Sequence, residues 1–367
     1  MTEHSETIAE CCRDIMKIAV LKGDGIGPEI VEAAQTVLNK ANELFDLNIE
    51  YKEALFGGSA YDVYGNPYPE ETQEIVKSCD AVLLGSVGAP KYDAVEPRTM
   101  RPEAGLLAIR KSLGLYCNIR PIKYYDFLAD RVVWKKGLLD GLDLVICREL
   151  TGGAYFGKRD HDDDSAYDTI SYSREEITRI VRDAFEMAKN RDRKVLHSID
   201  KANVLDSSRL WRSIVNDMAK EYPEVEVHHL YVDNAAMQLI VNPTQFDVIV
   251  TENMFGDILS DESAALGGSL GMLPSASLGG SISLFEPSHG SAPDLAGQNV
   301  ANPIATILSA AMLLRFSAKN EEAARAIETA VTDVLEANIK TADLADASSK
   351  VVGTKEMAQE IVSRMHK

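Results

Sequence analysis

Short β-rich runs alternate with longer helical patterns along most of this sequence, and this alternation limits the fold more than any other feature. The β-rich runs occupy residues 17–22, 80–85, 143–150, 194–199, 225–232 and 246–251. Apolar residues at helical spacing follow them in segments 28–45, 174–191 and 206–222. Since helices of this kind connect parallel strands, the sequence predicts an α/β protein with a largely parallel central sheet.

Length and charge narrow the class of protein. The chain has 367 residues, enough for about two domains. Its net charge of -19 argues against nucleic acids and anionic membranes as partners, because both attract basic surfaces. No apolar run approaches the length of about 18 residues that a membrane span needs. An anionic small molecule is still compatible with this charge, since its site needs only a local cluster of arginines.

Cysteine usage and the N-terminal segment predict a cytoplasmic location. The five cysteines are Cys11, Cys12, Cys79, Cys117 and Cys147, and none forms a C-x-x-C pair. Reduced thiols in a cytoplasmic protein are therefore expected. The first twenty residues contain acidic side chains and no apolar core, which is not typical of a secretory signal.

Two glycine-rich segments have different sequence character. "LKGDGIGPEI" joins the first strand to the first helix, and either a tight turn or a ligand loop explains it. It lacks the G-x-G-x-x-G fingerprint of dinucleotide-binding Rossmann folds, and the chain has no G-K-[ST] phosphate loop. Residues 266–303 are rich in Gly, Ser and Pro but are too long and too apolar for a linker. We interpret 266–303 as functional loops, followed by helices to the end.

Charged residues mark a candidate anion and cation site. In "FGDILSDES", Asp257 and Asp261 lie one helical turn apart, so their carboxylates face the same way and need a positive partner between them. Arg110, Arg120 and Arg148 are flanked by apolar residues, and Arg148 follows a predicted strand. Arginine suits two-point binding of carboxylates, so these three predict an anion site, although each alone is compatible with a solvated surface charge.

Seven motifs occur in an order that resembles the isocitrate/isopropylmalate dehydrogenase family. They are "GDGIGPE", "GLLAIRKSLGLYCNIRP", "RELTGGAYFG", "DKANVL", "YVDNAAMQL", "NMFGDILSDE" and "HGSAPDLAGQNVANP". The resemblance runs from about residue 17 to the end. It implies that family's two-domain α/β fold, which is not a Rossmann fold. Residues 1–115 and 268–367 would form a cofactor-side domain, and 116–267 a second domain with the dimer interface and an arm at about 158–173.

The resemblance also implies a chemistry and assigns residues to it. Family members oxidise a secondary alcohol next to a carboxylate, pass hydride to NAD, and release CO₂. Asp257 and Asp261, with Asp233 from the other subunit of a homodimer, would hold Mg²⁺ or Mn²⁺ and the substrate. Arg110, Arg120 and Arg148 would bind the malate carboxylates. Lys201 would be the general base and Tyr155 the acid, with Lys201 serving the neighbouring subunit's site.

Cofactor contacts follow from the same resemblance. Asp294 would bind ribose hydroxyls and repel the extra phosphate of NADP, so NAD is expected. The other cofactor-side residues would be Ile26, Glu103, Glu286, His289, Gly290, Ser291, Ala292, Pro293 and Asn302.

The substrate is predicted from two leucines. Leu106 and Leu107 precede Arg110 and suit an isopropyl group, whereas burying a third carboxylate against them would be costly. With these leucines, the resemblance implies the oxidative decarboxylation of 3-isopropylmalate to 4-methyl-2-oxopentanoate and CO₂ in leucine biosynthesis. If both leucines instead face the core, the activity of another decarboxylating dehydrogenase of the family is the alternative. A metal-dependent phosphotransferase and a non-catalytic paralogue are the remaining alternatives.

Overall fold

The computed structural model describes residues 15–132, 134–135 and 137–367; Cys11 and Cys12 lie outside this part of the chain. Fourteen strands are found there: β1 Met16–Gly23, β2 Ile49–Ala54, β3 Ala81–Ser86, β4 Cys117–Lys123, β5 Asp143–Glu149, β6 Arg159–His161, β7 Ala166–Asp168, β8 Val195–Asp200, β9 Glu226–Tyr231, β10 Val248–Thr251, β11 Pro274–Leu278, β12 Ser283–Pro287, β13 Ile339–Lys340 and β14 Lys350–Val351. The α-helices are α1 Gly27–Phe45, α2 Gly58–Tyr64, α3 Glu70–Lys77, α4 Pro102–Ser112, α5 Arg174–Lys189, α6 Asp206–Met218, α7 Val232–Val241, α8 Asn253–Ala264, α9 Ile304–Phe316, α10 Glu321–Glu336 and α11 Thr354–Val362.

One 10-stranded sheet organises the molecule, in the order β2-β1-β3-β12-β11-β4-β5-β10-β8-β9. The strands β2, β1, β3 and β12 pair in parallel at one end. At the other end β5, β10, β8 and β9 also pair in parallel. Between these two groups, β11 and β4 pair antiparallel with all their neighbours. The largely parallel sheet is confirmed, and its antiparallel centre joins two parallel groups.

Helix α9 shows how the central strands are covered. It packs against β11 and β12 on one side and against α1 and α10 on the other. Its sequence is apolar all round, and its residues from Ile304 to Leu314 are buried. A helix without a polar face is stable only when other elements enclose it, which is the case here. Strands β11 and β12, at the centre of the sheet, are thus covered by α9.

The interpretation of residues 266–303 as loops is wrong for part of that segment. It contains β11 and β12, which form a hairpin through Gly279 and Gly280 at the centre of the sheet. Their side chains include buried serine and alanine, such as Ser275, Ala276 and Ser277. Small residues fit under α9 but are also typical of loops, so composition hides these strands.

The first glycine segment forms a tight strand-to-helix turn. Gly23 and Gly25 have positive φ angles of 73° and 57°. Between them, the carboxylate of Asp24 accepts hydrogen bonds of 2.8 Å from the backbone N–H groups of Gly58, Ser59 and Gly88. Asp24 thereby ties three loops together at the ends of β1 and β3. None of the helices within the described ranges is both long and apolar enough to cross a membrane.

Candidate active site

Helix α8 presents Asp257 and Asp261 to a guanidinium group. The helix begins after Glu252, whose carboxylate accepts a 2.7 Å hydrogen bond from the N–H of Phe255 and so caps the first turn. Arg120, on β4, donates to Asp261 Oδ1 at 3.3 Å and lies 3.6 Å from Asp257 Oδ1. The predicted pairing of the two carboxylates on one helical face is confirmed. Within this chain, the positive group between them is Arg120.

Arg148 is the most deeply buried of the three arginines. Its side chain is 2% exposed, and its Nη1 donates to Oδ1 of Asp257. On its other edge, Nε and Nη2 donate to the single oxygen Oδ1 of Asn253, at 3.0 and 2.8 Å. Both partners belong to α8, whose Gly256 allows the close approach: a Cβ there would lie 2.6 Å from Arg148 Cγ. Helix α8 therefore packs directly against the Arg148 side chain.

Arg110 reaches the same region from the last turn of α4. Its Nη2 donates a 2.7 Å hydrogen bond to Oε1 of Glu286 on β12, and both side chains are nearly buried. Among the described residues, none accepts a hydrogen bond from Arg110 Nε. A buried N–H without an acceptor is costly, so this edge is suited to an incoming anion. We call Arg110, Arg120 and Arg148 the arginine clamp.

Burial and the arginine clamp together shift the pKa values of the two aspartates in opposite directions. Burial raises the pKa of Asp257, but Arg148, the Tyr155 hydroxyl and Arg120 outweigh it, so the net pKa is lowered. Burial raises the pKa of Asp261, and Arg120 offsets only part of this rise. For Arg148, burial and the neighbouring Arg120 lower the pKa to about 10. Because these arginines repel one another, a carboxylate placed between them is stabilising, as that of Asp257 is.

Tyr155 contacts the carboxylate oxygen of Asp257 that Arg120 does not approach. It ends a short 3₁₀ turn, Gly153–Tyr155, and its hydroxyl donates a 2.8 Å hydrogen bond to Asp257 Oδ2. Burial and this carboxylate raise the pKa of Tyr155 to about 12. The phenol thus keeps its proton at neutral pH, as a proton donor must.

Lys201 and Asp233 form a separate pair. Lys201 Nζ donates a 2.7 Å hydrogen bond to Asp233 Oδ1, and this contact lowers the pKa of Asp233. No group of three or more acidic, histidine or cysteine side chains within the described ranges is placed to hold a metal ion. The structure therefore brings Asp257 and Asp261 together in one chain, but not Asp233 with them.

The expected cofactor-side segments meet at the first glycine turn. Ser291 accepts a 2.8 Å hydrogen bond at its backbone carbonyl from the N–H of Ile26, and its hydroxyl donates to the carbonyl of Gly88 at 2.6 Å. Gly88 in turn approaches Glu103, since a Cβ on Gly88 would lie 2.4 Å from Glu103 Oε1. A cavity of about 520 Å³ adjoins this point and is lined in part by Pro293 and Asp294.

The remaining cofactor-side residues lie on either side of this region. His289 Nδ1 lies 2.9 Å from the carbonyl of Gly290, and burial lowers the pKa of the imidazole. Asn302 leads into α9: its Oδ1 accepts from the N–H of Ile304 at 3.0 Å, and its Nδ2 donates to Asp343. Ala292 has a positive φ of 36°, which turns the backbone between Ser291 and Pro293.

Leu106 and Leu107 lie four and three residues before Arg110 on α4, so all three share one side of the helix. Both leucines are partly exposed. Leu106 packs against the core under β1 and β3. Leu107 belongs to none of the apolar core clusters of the described residues. The structure therefore separates the two: Leu106 is partly a core residue, and Leu107 is free to contact a ligand.

Sequence reasoning missed several residues that shape the site. They include two buried asparagines, Asn118 and Asn253, which accept hydrogen bonds from Arg120 and Arg148. Ser260 Oγ accepts a further 2.7 Å hydrogen bond from Arg120 Nη1. Only their position inside the motifs that carry the predicted arginines and aspartates could have drawn attention to them, because neutral polar residues give no charge pattern.

The arginine clamp, the acidic pair and Tyr155 together form a candidate active site whose charges suit an anionic substrate. The chain belongs to the isocitrate/isopropylmalate dehydrogenase family, whose model matches residues 17–361. The match covers all of these residues and both glycine-rich segments, and it confirms the expected family.

Similar proteins agree with this assignment. A 3-isopropylmalate dehydrogenase from Priestia megaterium is 56% identical over 353 residues, covering 95% of each chain. A second, from Moorella thermoacetica, is 55% identical and covers 94% of this chain and 97% of its own. Among solved structures, an isocitrate dehydrogenase from Methylococcus capsulatus matches with a TM-score of 0.85 and 34% identity, over 96% of this chain and all of that one. A β-decarboxylating dehydrogenase from Thermococcus kodakarensis matches with a TM-score of 0.77 and 35% identity, over 96% of both chains.

Proposed function

We propose that this chain catalyses the NAD-dependent oxidative decarboxylation of 3-isopropylmalate to 4-methyl-2-oxopentanoate and CO₂, a step of leucine biosynthesis. The observation that carries the proposal is the position of the arginine clamp beside Asp257. Arg148 and Arg120 approach one oxygen of this carboxylate, and Tyr155 donates to the other. Relatives named 3-isopropylmalate dehydrogenase, at 52–56% identity over nearly the whole chain, support the choice of substrate.

The arginine clamp binds and orients the substrate carboxylates. Arg110 has a buried Nε without a partner among the described residues, and the Arg148 and Arg120 guanidinium groups are nine-tenths buried or more. Such groups bind a carboxylate strongly because water does not compete for them. Fixing the substrate in this way prepays the entropy of bringing its hydroxyl carbon to the nicotinamide.

Two residues are proposed to move protons. Lys201, as the neutral amine, would take the hydroxyl proton as hydride passes to NAD from the carbon that bears this hydroxyl. Tyr155 would protonate the enol carbon after CO₂ is lost, and its pKa of about 12 keeps the phenol protonated until then. Asp257 holds the Tyr155 hydroxyl in place before the substrate binds.

The acidic pair fits Mg²⁺ or Mn²⁺. Asp257 and Asp261 offer carboxylate oxygens on one helical face, with side chains 34% and 62% exposed, and hard divalent cations prefer such oxygen ligands. A cation held there would polarise the substrate hydroxyl and stabilise the enolate. The third ligand is proposed to be Asp233 of the second subunit.

A homodimer with shared sites is part of the proposal. On α7 and α8, large apolar side chains are 51–60% exposed: Met237, Ile240, Val241 and Ile258. Exposed apolar surface on neighbouring helices is typical of a subunit interface. Within the described residues the exposed hairpin of β6 and β7 pairs with no other strand. A lone hairpin needs a partner for stability, which supports an arm at about 158–173.

The division into domains, the choice of NAD and the cellular location are also part of the proposal. We propose a cofactor-side domain of residues 1–115 and 268–367 and a second domain of 116–267. The two parallel strand groups of the sheet support this division. NAD is proposed over NADP because Asp294 carries an exposed carboxylate next to the cavity at the first glycine turn. A cytoplasmic location is supported by Cys79, Cys117 and Cys147, which are buried and unpaired in disulfides.

The test is NADH formation by the purified protein with 3-isopropylmalate, isocitrate, tartrate and malate in turn. We expect high activity on 3-isopropylmalate with NAD and Mg²⁺ or Mn²⁺, little with NADP, and none after chelation. Preference for isocitrate would overturn the assigned substrate. Activity that survives thorough chelation would overturn the role of the acidic pair.

A further inference from the structure

The side chain of Asn253 contacts both the arginine clamp, which is proposed to bind the substrate, and the turn that carries Tyr155, the proposed proton donor. It is the first residue of α8 and is 1% exposed. Its Oδ1 accepts both Nε and Nη2 of Arg148, at 3.0 and 2.8 Å. Its Nδ2 donates a 3.0 Å hydrogen bond to the carbonyl of Gly152, directly before the turn that carries Tyr155. One carboxamide therefore contacts the arginine clamp and the support of the proposed proton donor.

The backbone that carries the Asn253 side chain is itself held in place. Its backbone N–H donates to the Tyr172 hydroxyl at 3.0 Å, and that hydroxyl donates to the capping carboxylate of Glu252 at 2.9 Å. The turn beyond Gly152 is equally confined, because a Cβ on Gly153 would lie 2.3 Å from the Tyr172 hydroxyl. The backbone is therefore fixed at both ends of these contacts, and the buried carboxamide of Asn253 makes both of them together.

Only a carboxamide satisfies both contacts. The acceptor for Arg148 must be an oxygen, and the donor to Gly152 must be an N–H. A carboxylate would keep the first and place a second oxygen against the Gly152 carbonyl. We infer that Asn253 is a positioning residue that fixes the Arg148 guanidinium relative to the turn bearing Tyr155. This inference rests on the proposed function, since it assigns Asn253 to that reaction.

Asn118 provides a matched comparison. Its Oδ1 accepts a 2.8 Å hydrogen bond from Arg120 Nε, as Asn253 does from Arg148. Its Nδ2, however, donates to the Ser277 hydroxyl at 3.0 Å on the neighbouring strand and has no contact with the Tyr155 turn. An Asn→Asp change therefore perturbs a clamp arginine at either position. Only at Asn253 does it also perturb the turn that carries Tyr155.

The experiment compares steady-state kinetics of Asn253→Asp and Asn118→Asp with the unmodified enzyme. We expect Asn253→Asp to lower kcat about tenfold or more, because the proton donor is displaced, and to raise KM. Asn118→Asp should raise KM with kcat changed less than about threefold. Thermal unfolding of each variant checks that it is folded. Asn253→Ser, which leaves room for a water at the amide position, should repeat the loss of kcat.

The outcomes separate the inference from the proposed function. Without activity of the unmodified enzyme on 3-isopropylmalate, the proposed function fails. With that activity present, an unchanged kcat in folded Asn253→Asp or Asn253→Ser overturns the positioning role. Equal losses of kcat in the Asn253 and Asn118 variants would also overturn it, because they would show only a general effect of a new buried charge.

Discussion

The hydroxyl of Tyr155 donates its hydrogen bond to Oδ2 of Asp257, while the other oxygen of the same carboxylate receives Arg148. The proposed proton donor and the arginine clamp thus share one acceptor. Since Asp257 is also a proposed cation ligand, changes at this carboxylate act on all three functions of the site.

Replacing Tyr155 with phenylalanine removes the proposed proton donor without leaving a cavity. We expect kcat to fall about a hundredfold, with a smaller change in KM, because the carboxylate-binding groups are untouched. The pKa of about 12 predicts that Tyr155 does not cause a decline of kcat at mildly alkaline pH, so that decline should persist in the variant. Steady-state rates against pH check both points. Tyr64→Phe, at an exposed tyrosine of α2, is the control.

Gly256 should tolerate no side chain. Alanine there would place Cβ 2.6 Å from Arg148 Cγ and 2.8 Å from its Cβ, so the guanidinium must move. We expect kcat/KM to fall by about ten- to a hundredfold. Alanine is favoured over glycine in helices by about 1 kcal/mol, so a weaker helix would not explain the loss. Gly267→Ala is the control, because its Cβ would meet only the Lys123 carbonyl at 3.5 Å. Equal losses in both variants would contradict the steric argument.

Leu107 should determine the preference for an apolar side chain on the substrate. Changing it to serine is expected to raise KM for 3-isopropylmalate about tenfold, the usual effect of removing apolar contact from a binding pocket. Ala108→Ser, one residue further along α4 and exposed, should have no effect. KM values for 3-isopropylmalate and isocitrate decide the point, and an unchanged ratio between them would mean that Leu107 does not face the substrate.

Mixing two inactive variants tests whether sites are shared between subunits. If Lys201 serves the neighbouring site, a heterodimer of Lys201→Ala and Tyr155→Phe subunits has one intact site and one with both defects. Random reassembly should then restore about a quarter of the unmodified activity. If both residues served the same subunit, every site would keep one defect and no activity would return. Each variant refolded alone serves as the control.

Cation affinity should fall as pH is lowered from neutral. A ligand carboxylate must be ionised, and the raised pKa of Asp261 means that it takes up a proton at higher pH than Asp257, whose pKa is lowered. As the pH is lowered, the measured Mn²⁺ binding should therefore weaken first because Asp261 takes up a proton. Asp261→Asn should bind Mn²⁺ more weakly at neutral pH and lose this first part of the pH dependence. Asp192→Asn, at an exposed loop position, should behave like the unmodified protein.

Much of the fold could be predicted because its strands are apolar and regular. The runs at 80–85 and 143–150 correspond to β3 and β5, which are almost wholly buried. The hairpin of β11 and β12 could not be found in this way, because its buried serines resemble a loop. Burial under α9 gives those serines their role, and a single sequence does not display that contact.

The site was predictable in its charged residues but not in their pairing. The motifs assign Arg110 to the substrate and Glu286 to the cofactor, yet the two side chains form a buried ion pair across 176 residues of sequence. No charge pattern in the sequence points to Asn118 or Asn253. The sequence motifs reveal which groups carry charge, whereas the neutral residues that orient those charges become visible only when α8 is packed against β4 and β5.

The arginine clamp has a consequence for how ligands enter. Its three cations face three carboxylates, those of Asp257, Asp261 and Glu286, so the site is formally electroneutral within a protein of net charge -19. A doubly charged malate that arrives with a divalent cation preserves this balance. Either ion alone leaves an uncompensated charge in a buried region, which is unfavourable. Each ion should therefore tighten binding of the other, and their joint affinity should depend only weakly on ionic strength.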